Sequence, residues 1–194
     1  MLASNKTHVA LSVLVLLLVS ICCGAAISKG ATNELDELKL SELRTELKEA
    51  QAEAEMIAQQ IEVGVAGRSD LVRAEIKVES LRTRLARHEE DWTRALDALG
   101  KVVAGRKRIL DSERQLQDEG LIAAHQVDVS RVDLSQSRIV YELMTIICIC
   151  QRDVDLTTSM AQRGVAPRSQ LLRAEDELNK ACALYDDMCK RFRH

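Results

Sequence analysis

Twelve residues, GVAGRSDLVRAE at positions 64–75, return one hundred positions later as GVAPRSQLLRAE at 164–175. The copies differ only at Gly67/Pro167, Asp70/Gln170 and Val72/Leu172. Each copy opens on a glycine, passes through polar residues and continues as an apolar helical pattern. Recurrence at a fixed offset marks a repeated supersecondary unit, each copy too small to bury its own apolar face. The units span about 34–100 and 134–194.

The residues before each copy are helical in pattern. Leu40, Leu43, Leu47, Ala50, Ala54, Ile57 and Ile61 step by three and four, which is a coiled-coil seam. It stops at Gly64, with Gly67 close behind, and glycine just past a periodic run is a helix stop. Ser69 or Asp70 can accept hydrogen bonds from the amides that open the next helix. That helix carries Leu71, Ala74, Val78, Leu81, Leu85, His88, Trp92, Ala95, Leu99 and Val102 on one side. It is expected to run on to about Asp118, kinked or overwound near Gly100 and Gly105, since each glycine weakens a helix interior by about 1 kcal/mol relative to alanine. Glu119-Gly120-Leu121-Ile122 is the next stop. A third helix follows to about Arg163, and its stretch Ile139–Cys150 is apolar nearly all round, so it is central in the bundle or packed on another chain. Gly164 ends it. Pro167 opens a fourth helix, where its missing donor costs nothing.

The predicted fold is all-α: long antiparallel coiled-coil hairpins in an up-down-up-down four-helix arrangement. Gly64 and Gly164 would share one end, with Gly120 at the other. Aromatic residues are only 2% and charged residues 29%, with a single proline, a profile of long helices and not of a sandwich or barrel. The formal net charge of −3 does not point to nucleic acid.

Residues 1–30 read differently from the body at 31–194. Val9–Ile27 is uncharged and almost wholly apolar, near the length of a membrane-spanning helix, with Lys6 before it and acids after it. It is either a cleaved signal peptide, with Gly24, Ala25 and Ala26 near the cut, or an uncleaved single anchor helix that holds the chain to the membrane. Both place the body outside the cytoplasm, periplasmic or membrane-anchored. Ile21 before Cys22 argues against a lipoprotein signal. The body cysteines Cys148, Cys150, Cys182 and Cys189 lack metal-binding spacing and read as small packing residues.

The tip Gly164-Val-Ala-Pro-Arg-Ser-Gln-Leu-Leu-Arg-Ala-Glu, with its earlier copy from Gly64 that carries Asp70, resembles the hairpin repeat of TolC-like outer-membrane efflux proteins. The resemblance covers the helical part only, because no alternating strand segments for an outer-membrane β-barrel are present. The middle tip, Leu116 with Gly120-Leu121-Ile122 and Asp128, is similar to the hairpin tip of HlyD-like periplasmic adaptor proteins, with Ala123 where those carry serine. Both resemblances imply tip contacts within an export assembly of the bacterial cell envelope.

The candidate partner contacts are therefore Gly64, Gly67, Arg68, Asp70, Gly120, Leu121, Ile122, Gly164, Pro167 and Arg168. Arg68 and Arg168 each follow a tip glycine by four residues, and capping with solubility explains them equally. His88 reads as a partly buried packing residue, and Arg106-Lys107-Arg108 as a solvated face. No nucleophile–base pair, phosphate-binding glycine loop or metal cluster is visible, so the reading contains no catalytic residue, no cofactor and no metal. The expected partner is an envelope pump, adaptor or outer-membrane component, with self-association through exposed seams. A structural spacer between membrane and wall is the alternative.

Overall fold

A computed structural model describes residues 36–192, which fall in two units, the first ending at Glu42 and the second beginning at Leu43. The signal or anchor segment predicted at 1–30 lies outside the described residues. Residues 36–42 of the first unit are helical, with Lys39 and Asp36 paired at 3.6 Å. Among the described residues all regular structure is α-helical.

The second unit carries five helices: α1 (43–62), α2 (Arg68–His88), α3 (Trp92–Asp118), α4 (Ala124–Gln162) and α5 (Arg168–Arg191). Cross-helix bonds show α1 to α4 successively antiparallel, and α5 folds back along α4 after the turn at Gly164. Glu53 and Glu46 of α1 meet Lys77 and Arg84 of α2 at 2.6 and 3.5 Å. Glu75 and Arg73 of α2 meet Arg108 and Glu113 of α3 at 3.1 and 3.4 Å. Between α3 and α4, Arg106 Nη1 donates to the Asp133 carbonyl at 2.7 Å, and the Cys148 thiol to the Trp92 carbonyl at 3.3 Å.

The second helix of the sequence reading is therefore two helices. The chain reverses at Glu89–Asp91, and Gly100 and Gly105 lie inside an unbroken α3. Glu90 takes a left-handed conformation, φ 55°, and the Asp91 side chain accepts from Arg94 N at 3.0 Å to cap α3. Gly105 is a contact residue: a Cβ there would lie 2.7 Å from Ile76 Cγ1 of α2. The missing side chain lets two helices approach closely. His88, at the end of α2, is exposed instead of partly buried.

The extra reversal changes which tips meet. α2 leaves the Gly64 tip, α3 returns from Glu90, and so Gly64 and Gly120 share one end of the unit. α4 then descends past the level of Trp92, and Gly164 lies at the opposite end. This corrects the expected pairing of Gly64 with Gly164.

The main core joins α2 through α5 at mid-height: Ala86, Ala95, Leu99, Val102, Met144, Ile147 and Tyr185. Arg87 of α2 lies over the Tyr185 ring at 4.7 Å and pairs with Asp186 at 2.5 Å, tying α5 to α2. A smaller cluster of Leu110, Val127 and Leu134 supports the Gly120 end, with Ile122 packed on it. The apolar stretch 139–150 is split: Met144 and Ile147 are fully buried, while Ile139, Ile146 and Ile149 face outward.

Candidate functional site

Each tip closes with the same backbone device. Gly64, Gly120 and Gly164 sit at φ 74°, 74° and 71°, a region that costs a residue with a Cβ about 1–2 kcal/mol. The left-handed step turns the next amides back onto the helix. Val65 N–H donates to the Gln60 carbonyl at 2.8 Å, Leu121 N–H to Leu116 at 2.8 Å, and Val165 N–H to Met160 at 2.9 Å. The reversal at Glu90 has the same wiring, Asp91 N–H to the Ala86 carbonyl at 2.9 Å, without a glycine. That absence hid it from the sequence reading; the clue available was the acidic run Glu89-Glu90-Asp91.

The two repeated tips differ in a coupled way. Gly67 N–H donates to Asp70 Oδ2 at 3.0 Å. Pro167, in the same place, has no N–H to satisfy, and Gln170 stands where the carboxylate was. Asp70 is thus a capping residue, and its loss at 170 follows from the proline. Residues Gly67 and Pro167 both precede their helices in extended conformation.

The tips present apolar side chains to solvent. Val65, Leu121 and Val165 are 75%, 67% and 68% exposed. Arg68 and Arg168 are exposed, and neither forms an ion pair among the described residues. Of the ten predicted contacts, the fold brings Gly64, Gly67, Arg68, Asp70, Gly120, Leu121 and Ile122 to one end. It separates Gly164, Pro167 and Arg168 from them. Ile122 is half-buried and supports its tip from inside.

Below the shared end, α2, α3 and α4 enclose a cleft of about 590 Å³ lined by Arg73, Ile76, Arg106, Glu113 and His125, among others. Glu113 is buried; one carboxylate oxygen meets Arg73 and the other, Oε2, has no partner. The sequence reading missed this residue. Its signal was position: three residues after Leu110, in line with the α3 seam.

The described cysteines, Cys148, Cys150, Cys182 and Cys189, form no disulfide with one another and are half-buried. Burial raises the pKa of Cys148, Cys150 and Cys182, which keeps them protonated and poorly nucleophilic. Burial likewise raises that of Tyr185. Among the described residues no three His, Cys, Asp or Glu side chains group as metal ligands, and no helix is long and apolar enough to cross a membrane. Comparison with protein-family models, curated proteins and solved structures finds no match for this chain.

Proposed function

We propose that this chain is a non-catalytic helical-hairpin protein of the bacterial cell envelope, related to TolC-like proteins in its helical part. It works by recognition. The end that carries the Gly64 and Gly120 tips docks onto an envelope partner: a pump, an adaptor or an outer-membrane component. Residues 9–27 deliver the body across the membrane or hold it there. The coiled-coil seams left open allow self-association.

One observation carries the reading. Two tips of different sequence, joined by an additional chain reversal, stand at one end and offer Val65, Leu121 and an unpaired Arg68 to solvent. Exposed apolar side chains beside an uncompensated charge make a small recognition surface. The test is crosslinking in the native envelope. Arg68→Glu with Leu121→Asp should abolish crosslinks to a transporter or adaptor while helicity stays unchanged. Recovery of no transport component by the native chain refutes the reading. The structural spacer is the remaining alternative; it tolerates tip changes and loses function when helix length changes by whole turns.

A further inference from the structure

At the other end the unit narrows. α3 begins at Trp92, level with Cys148. α4 continues through residues 149–162, past the start of α3, and packs along α5 on that stretch. The result is a two-helix arm of about 20 Å, at 1.5 Å per residue, capped by Gly164. Two helices alone leave much of their apolar surface wet. Ile149 and Leu156, 61% and 59% exposed, stand seven residues apart on one side of α4, and Met160 follows four later. With Asp153, Ala174 and Glu177 the two line an open groove of about 300 Å³ along the arm.

Charge on the arm is segregated. The tip half, residues 157–173, holds Arg163, Arg168 and Arg173 and no acid. The root half, 150–156 with 174–180, holds Asp153, Asp155, Glu175, Asp176 and Glu177 against Arg152 and Lys180. The exposed Glu89, Glu90 and Asp91 lie at the same turn where the arm leaves the body. Arg163 and Arg168 have no ion pair among the described residues, and the exposed Arg173–Glu177 pair at 3.2 Å holds its partner weakly.

We propose that the arm is a self-association element: two copies lay their arms side by side, tip to root, and close a four-helix bundle over Ile149 and Leu156. This gives a surface and an orientation to the self-association in the preceding reading, and rests on it only to that extent. A two-fold axis across the arms makes the contact self-complementary. It sets each arginine tip against the acidic root of the other copy. Side-by-side arms pointing the same way would stack arginine on arginine. Antiparallel packing of two hairpins is also the ordinary way to give such a pair a core.

The test is sedimentation of the full chain in mild detergent, which keeps residues 9–27 solvated, at low salt. One variant reverses the tip (Arg163→Glu with Arg173→Glu), the other the root (Asp153→Arg with Glu177→Arg). The native chain should dimerise, and each variant alone should weaken the dimer at least tenfold. Their equimolar mixture should recover native affinity as mixed dimers, because opposite charges again face each other at both contacts. Leu156→Asp should leave a helical monomer. A native chain that stays monomeric at about 100 μM, a dimer indifferent to both reversals, or a mixture that fails to recover overturns the proposal. Arg68→Glu with Leu121→Asp, at the far end, should leave the dimer intact, so loss of partner capture and loss of self-association are read separately.

Discussion

Gly100 and Gly105 sit five residues apart in α3, and replacing each with alanine should have opposite effects. In a helix interior Gly→Ala contributes about 0.8–1.0 kcal/mol of stability through backbone entropy. At Gly100 the new Cβ meets only Tyr141 Cε2, at 3.4 Å, an ordinary contact. The full gain of about 1 kcal/mol should appear, a rise in Tm of roughly 2–4 °C for a chain of this size. At Gly105 the new Cβ falls 2.7 Å from Ile76 Cγ1 and 3.1 Å from Cδ1. Ile76 is β-branched and stiff in its helix, so it cannot swing away cheaply. Overpacking of this kind costs about 1–3 kcal/mol, which offsets the helical gain and leaves a net loss of up to about 2 kcal/mol. Urea unfolding followed by circular dichroism measures both. Ile76→Ala added to Gly105→Ala should restore stability beyond the sum of the single effects, the sign of direct contact. Equal stabilisation by both alanines would refute the reasoning. It would mean that α2 and α3 do not pack face to face and that the glycines are the weak points of one long helix.

Other outcomes follow from the same geometry. Glu90→Gly should stabilise the unit by about 1 kcal/mol, by relieving the left-handed φ of 55°, measured by the same unfolding. Asp70→Ala should cost roughly 0.5–1 kcal/mol by leaving Gly67 N–H without its acceptor, while Gln170→Ala should be near neutral; equal effects would remove the coupling between Pro167 and Gln170. The half-buried thiols Cys148, Cys150 and Cys182 have folded pKa values raised above the ordinary 9.0 by desolvation. Their contribution is complete below the ordinary thiol range and is lost as pH rises through it, because the unfolded chain releases those protons first. Replacing the three with serine should flatten stability against pH in that window.

Much of the helical pattern was legible along the chain. Leu43, Ala50, Ala74, Val78, Leu81 and Leu85 fall in the seams and are buried, and Gly64, Gly120 and Gly164 end helices where glycine stops were read. Such features are local: a 3.6-residue period and a left-handed cap are properties of a few neighbouring residues. The candidate tips were legible for the same reason. Arg68, Leu121 and Arg168 are exposed because they sit beside reversals, whatever the helices do elsewhere.

The arrangement of those tips was not legible. It turned on whether the chain between residues 68 and 118 is one helix or two, and the reversal at Glu90 is written in acids instead of glycine. A non-glycine residue accepts the left-handed turn because packing on both sides overrides its small local cost. Ile76 seats against Gly105, and Ala86 and Ala95 are both fully buried next to the turn. Sequence periodicity set where helices form and which side of each is apolar. Only long-range packing decided the parity of the reversals, and with it the placing of Gly64 beside Gly120 and of Gly164 at the end of an arm.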